Sequence, residues 1–129
     1  MKGGGKMQNR KLFAKPITIR LTKDDDEFVK LFAEKYGMIY LRALRTILEY
    51  SKSYYTQLLK DSSVKLVRGN TVHYVNKLNI WVTNSLSDFI DSIAKENAIP
   101  KQEAARFLIR LAEYDRETLC GRANFFILN

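Results

Sequence analysis

Cysteine and histidine are almost missing from this chain of 129 residues, which has one of each, Cys120 and His73. A lone thiol forms no internal disulfide, and one Cys with one His at no recognised spacing supplies no structural zinc site. Long apolar runs are missing too. None approaches the roughly 18 residues that a membrane helix needs, and the N-terminus lacks the apolar stretch of a secretory signal, so the chain is expected to stay in the cytoplasm. No phosphate loop, dinucleotide fingerprint or zinc-hydrolase motif occurs. Cys120 has no histidine or acid at a nucleophile's usual spacing and is expected to be a small buried residue. His73 lies in an alternating segment and reads as a surface or ribbon-end residue. With the carboxylates grouped at helix starts, nothing offers a base, nucleophile or metal, and neither an enzyme nor a cofactor is expected.

What is present is the composition of a folded chain, 46% hydrophobic and 28% charged, at a length that fits one core or two very small fused motifs. The formal charge of +8 is unevenly spread. Lys2, Lys6, Arg10, Lys11, Lys15, Arg20 and Lys23 stand in residues 1–23 with no acid, leaving 15 bases and 14 acids for the rest. Residues 1–15, with Gly-Gly-Gly at 3–5, read as a flexible basic arm. Such an arm attracts phosphate polymers or anionic surfaces, or serves as a solubilising tail.

The chain matches itself at an offset of 61 residues. Ile17-Thr18-Ile19-Arg20-Leu21-Thr22 falls on Leu78-Asn79-Ile80-Trp81-Val82-Thr83. Without a gap, Phe28 falls on Phe89, Val29 on Ile90, Phe32 on Ile93, Ala33 on Ala94, Ala43 on Ala104, Arg45 on Arg106 and Leu48 on Ile109. Each copy opens with alternating apolar and polar residues, the signal of a half-buried strand. Thr22 with Asp25 is a capping box, and Asp24 to Glu27 suit the positive end of a helix dipole. Phe28, Val29, Phe32, Ala33 and Tyr36 mark a helix face that ends at Gly37, a left-handed cap. A second, longer helix carries Leu41, Leu44, Ile47, Leu48, Tyr55, Leu58 and Leu59 to about Lys60. In the second copy Thr83 caps the first helix, and Pro100 begins a helix from about Lys101 to Glu117. The predicted division is arm 1–15, first repeat 16–60, linker 61–76 with a β-hairpin at 64–75, second repeat 77–120, and an apolar tail 121–129.

One short strand and two helices are too small to bury their own apolar surface, so the unit must pair. Here the partner lies in the same chain. Strands 17–22 and 78–83 are expected to pair antiparallel over a shared helical core, with Thr18, Arg20, Asn79 and Trp81 facing outward and Lys77 at the ribbon's end.

The segments "PITIRLTKDDDEFVKLFAEKYGM" and "KLNIWVTNSLSDFIDSIAKENAIPK" resemble the ribbon-helix-helix DNA-binding family that includes Arc and MetJ. Fused tandem versions occur in that family, such as TraY-like plasmid proteins and some archaeal virus regulators, and this chain looks like a tandem version. The resemblance implies a mostly α fold with a small antiparallel β-ribbon, a tandem single-chain pseudo-dimer whose ribbon enters the DNA major groove. The family's base-reading positions fall on Thr18, Arg20, Asn79 and Trp81. Its phosphate clamp, made by backbone N–H groups at the second helix's start, falls on Ile39 and Tyr40 and, around Pro100, on Lys101 and Gln102. Lys2, Lys6, Arg10, Lys11, Lys15 and Lys77 are expected to add phosphate contacts.

The residue types suit these roles: Arg holds guanine O6 and N7, Asn does the same to adenine, and Thr bonds either base or touches a thymine methyl. Trp81 departs from the family's polar preference; it either covers a sugar or thymine methyl or packs under the 64–75 hairpin. Ile39 stands where a Ser or Thr cap is usual, although backbone N–H groups bind an anion without one. The expected function is sequence-specific binding of double-stranded DNA by a transcriptional regulator, a repressor before an activator, with self-association along DNA. The alternative is an antitoxin or a partition or relaxosome adaptor whose tail, Phe125, Phe126, Ile127 and Leu128, grips a partner protein. A third reading has the arm bind RNA or anionic lipid without sequence preference.

Overall fold

The computed structural model describes residues 12–62, 64 and 73–121. In chain order these form β1 (Lys15–Leu21), α1 (Lys23–Tyr36), α2 (Tyr40–Ser53), α3 (Tyr55–Asp61), β2 (Asn76–Val82), α4 (Asn84–Asn97) and α5 (Lys101–Tyr114). A closing helical turn follows at 116–121. The described residues are mostly helical, with one two-stranded antiparallel sheet, as expected. The basic residues Lys2, Lys6, Arg10 and Lys11, the tail Phe125 to Leu128 and most of the expected hairpin lie outside the described residues.

The local signals explain the element ends. The Thr22 hydroxyl accepts from the Asp25 N–H while the Asp25 carboxylate accepts from the Thr22 N–H, a complete capping box that satisfies two of the donors left over at a helix start. Thr83 caps α4 through the Leu86 N–H at 3.0 Å. Because both threonines turn the chain into a helix, the strands stop one residue before them. They begin earlier than expected, at Lys15 and Asn76, where the ladder still finds partners. α1 ends on Gly37 with φ 61°, and α4 ends on Ala98 with φ 52°. Only the first of these is the residue that the left-handed region favours.

The long second helix expected to reach Lys60 is instead broken at Tyr54, whose φ of −114° and ψ of 21° bend the chain between α2 and α3. The bend has a packing reason. It lets Tyr55 meet Phe89 edge-on at 5.1 Å and Phe107 at 6.5 Å, while Leu58 is buried. The helix expected to run through Glu117 breaks likewise at Asp115. There the Tyr50 hydroxyl donates to the Asp115 carboxylate, and Leu119 turns into the core. Cys120 is half-buried rather than buried, and its carbonyl accepts from the Tyr36 hydroxyl at 2.8 Å.

The core lies under the sheet. Ile17, Ile19 and Leu21 of β1 and Ile80 and Val82 of β2 form its roof. α2 and α5 cross its centre with Leu44, Ile47, Leu48 and Tyr50 against Leu108, Ile109 and Leu111. Ala43, Ala104, Ala105 and Ala112, all buried, let these backbones approach closely. The Ser51 hydroxyl is buried and donates to the Leu108 carbonyl at 2.6 Å, tying α2 to α5. Each such Leu or Ile contributes about 1.5–3 kcal/mol on burial, and most of these contacts join residues before the 65–72 segment to residues after it.

The lengths and spacing of the elements repeat. Both strands have 7 residues and α1, α2, α4 and α5 have 14 each. Lys15 to Asn76, Lys23 to Asn84 and Tyr40 to Lys101 are each a step of 61, the separation of Thr18 and Asn79, which face each other across the ladder.

Candidate nucleic-acid interface

The alternation of the strands sorts their side chains by face. Apolar residues at odd positions of β1 and even positions of β2 turn to the helices, which leaves Pro16, Thr18 and Arg20 with Lys77, Asn79 and Trp81 on the outer face. The register makes three cross-strand pairs of them: Pro16 with Trp81, Thr18 with Asn79, and Arg20 with Lys77. The four residues expected to read bases therefore share one surface. Lys77, expected at the phosphate backbone, stands in the same row, directly opposite Arg20. Lys15 is exposed but has the parity of Ile17, so it lies off that row.

Two cations facing each other on a sheet repel, which a strand avoids unless something else satisfies them. Among the described residues neither Arg20 nor Lys77 has an acidic partner. At the centre the Thr18 hydroxyl donates to Asn79 Oδ1 at 2.9 Å, so these two side chains hold each other in place. Trp81 is 55% exposed at the far end of the row, and most of the 64–75 segment it was alternatively expected to pack under lies outside the described residues. The Trp81 carbonyl accepts from Arg45 Nη1 at 3.5 Å, and the Arg45 guanidinium lies 4.6 Å from the Phe13 ring centroid. Neither Phe13 nor Arg45 was anticipated at the ribbon. The offset that pairs Thr18 with Asn79 was the available signal for the Arg20–Lys77 pair.

The helix starts expected to clamp phosphates have a common form. Ile39 and Pro100 are extended N-caps, φ −69° and −62°, and neither offers a side-chain cap. The backbone N–H groups of Tyr40 and of Lys101 and Gln102 therefore stand at uncapped N-termini, the positive ends of helix dipoles. A depression of about 260 Å³ is lined by Thr18, Pro100, Lys101 and Gln102, so the ribbon's centre and the start of α5 form one continuous surface.

The side chains of two of the expected clamp residues are engaged within the protein. The Lys101 ammonium lies 3.1 Å from Asp91 and donates to Ser87 Oγ at 2.8 Å, so its charge is already matched. The Tyr40 hydroxyl is turned to Asp26 at 2.5 Å, and burial and that carboxylate push the phenol's pKa well up. What these two residues leave open at the helix starts is their backbone N–H groups, the groups the resemblance names. Ile39 is 70% exposed beside them, and Arg42, in the first turn of α2, is exposed and without an acidic partner among the described residues. Sequence reading did not single out Arg42, an exposed arginine within the first turn after an uncapped start.

Away from this surface a polar brace locks the ribbon's other margin. Asp25, read as a dipole partner, is buried and meets Arg106 Nε at 3.0 Å, and Arg106 also reaches Glu103 at 3.3 Å. The Tyr74 hydroxyl donates to Glu103. Burial alone would raise the Asp26 pKa, but hydrogen bonds from Tyr40, Lys30 and Asn76 outweigh it and hold the carboxyl below its ordinary value. Glu113 is pushed up to about 7 by burial and by the negative charges of Asp25 and Asp24. Asp24, Asp25, Arg106 and Glu113 line a cavity of about 680 Å³ with Arg110, Arg116 and Val64. Its three acids and three arginines neutralise one another, which fits a structural role.

Among the described residues no helix is long and apolar enough to cross a membrane. Set against protein-family models, curated proteins and solved structures, the chain matches none of them.

Proposed function

We propose that this chain is a tandem ribbon-helix-helix protein, a single-chain pseudo-dimer that inserts its β-ribbon into the major groove of double-stranded DNA and acts as a sequence-specific regulator of transcription, most simply a repressor. The pseudo-dimer rests on the repeat of element lengths at a constant step of 61 and on a register centred on Thr18 and Asn79, positions that correspond in the two halves. A two-stranded ribbon is the right width for a major groove. The observation that carries the reading is the exposed Arg20–Lys77 pair, which no acid pairs among the described residues, on the same face as Thr18, Asn79 and Trp81. Guanine edges and phosphates supply the acceptors that the protein does not. The uncapped start of α5, which shares a depression with Thr18, and that of α2, its counterpart at the 61-residue step, offer backbone donors that would fix the register on the phosphates while the ribbon reads bases.

The test is selection of duplexes from a random-sequence pool, followed by fluorescence anisotropy on the selected and on scrambled duplexes. The selected site should bind about 10³-fold or more tighter than scrambled DNA at physiological salt. Equal affinity for all duplexes, or for single-stranded RNA and anionic vesicles, would sink the proposal.

A further inference from the structure

The ends of the ribbon's outward face differ in chemistry, and the antiparallel register decides which residues share an end. Arg20 and Lys77 make one end wholly cationic, Pro16 and Trp81 make the other wholly apolar, and Thr18 and Asn79 lie between them, bonded to each other. In a ribbon of two identical chains the ends would be the same, because each would carry one residue from each position. Here Arg20 corresponds to Trp81 at the 61-residue offset, and Pro16 to Lys77. The cations therefore gather at one end and the apolar residues at the other.

We propose that the ribbon reads its DNA site in a fixed direction, with the Arg20–Lys77 end over guanines and the Trp81–Pro16 end over a thymine methyl. It rests on the reading of the chain as a major-groove binder and adds which base belongs at which end. Guanine is the base that offers two acceptors, O6 and N7, on its major-groove edge, and two adjacent cations that form no ion pair among the described residues match a guanine step. The thymine methyl is the apolar group of that groove, and an exposed Trp beside a Pro is an apolar patch that needs such a partner. The flank of this end is closed by Arg45, which bonds the Trp81 carbonyl and stacks on Phe13.

The centre discriminates least. Thr18 spends its proton on Asn79 Oδ1, so the pair offers mainly the Asn79 Nδ2 protons, which guanine, adenine N7 and thymine O4 all accept. That revises the adenine preference expected of Asn79 from its residue type. Pro16 and Arg20 are four positions apart on β1, about 13 Å of strand, so the guanine and thymine elements should be separated by no more than about four base-pair steps.

Sites selected from random duplexes should therefore lack two-fold symmetry, with guanine at one end and thymine at the other. On the selected duplex, replacing that thymine by uracil removes only the methyl and should weaken the full-length protein about fourfold. Trp81→Ala should bind the thymine and uracil duplexes equally and keep the guanine preference. Arg20→Ala and Lys77→Ala should relax the guanine end alone. A palindromic site, no effect of uracil on the unsubstituted protein, or relaxation of the same end by Arg20→Ala and Trp81→Ala would overturn the directional reading while leaving DNA binding intact. Failure to select any sequence would overturn both. The uracil swap is made in the DNA, so it decides the matter even if Trp81→Ala does not fold.

Discussion

Arg20 and Lys77 stand opposite each other with no acid between them, an arrangement that lowers the stability of an isolated ribbon and is explained when another molecule supplies the acceptors. Arg20→Ala should therefore weaken binding to the selected duplex by about 1–3 kcal/mol if the contact is bidentate to guanine, and weaken scrambled DNA much less. Thr18→Ala should lose less, because its hydroxyl is already committed to Asn79. Equal losses on both duplexes, measured by anisotropy, would move Arg20 to the phosphate backbone. A second residue-scale prediction concerns Glu113. Its folded pKa is raised to about 7 from 4.5, so between these values the folded chain holds more protons than the unfolded one and stability falls as pH rises. The contribution is fully present below about pH 4.5 and is lost as pH passes through 7. Glu113→Gln should remove that slope in urea melts between pH 5 and 8. At pH 8 it should stabilise by only about 1 kcal/mol, because the side chain is half-exposed and solvent screens its repulsion from Asp24 and Asp25. An unchanged slope would mean that Glu113 titrates normally.

At the scale of the elements, the two first helices end in the same left-handed turn with different residues, Gly37 at φ 61° and Ala98 at φ 52°. A Cβ in that region costs roughly 1–2 kcal/mol. Ala98→Gly should accordingly raise stability by up to about 1 kcal/mol, the gain being trimmed by the entropy that glycine adds to the unfolded chain. Gly37→Ala should lower it by a similar amount, even though nothing lies within 4 Å of the added methyl. Thermal melts of the pair decide the point, and a stabilising Gly37→Ala would show that the turn is not held left-handed in solution. The caps, faces and stops of these helices were legible because each is written in local chemistry: Thr22 with Asp25, Thr83, Gly37, and apolar residues at helical spacing. The breaks at Tyr54 and Asp115 were not, because they answer to packing partners distant in sequence, Phe89 and Phe107 for Tyr55 and Tyr50 for Asp115.

For the whole molecule, the decisive fact is that each half contributes one strand to a two-stranded sheet and one side of a single core. Neither half has a second strand among the described residues, and an isolated strand with two helices exposes the faces that Leu44, Ile47 and Leu48 and Leu108 and Ile109 bury against each other. Cleavage of the chain within 65–72 should leave fragments that remain associated and co-migrate on a sizing column, whereas each fragment made separately should lack a cooperative melt. A fragment that folds stably alone would refute the mutual dependence of the halves and weaken the pseudo-dimer proposal with it.

Residue order alone determined the period of the strands, the caps and faces of the helices, the 61-residue repeat and the outward placing of Thr18, Arg20, Asn79 and Trp81, since each follows from side-chain alternation or spacing along one stretch of chain. Tertiary structure decided which of them meet. Arg20 faces Lys77 because the ladder is antiparallel and centred on Thr18 and Asn79. The Lys101 ammonium is engaged at the surface because the fold brings it to Asp91 and Ser87. Asp25 changes from a helix-start charge to a buried partner of Arg106 because α5 packs beside the start of α1. In each case the physical reason is the same: the partner's charge and distance depend on a through-space approach between segments far apart in the chain, and local pattern carries no information about that approach.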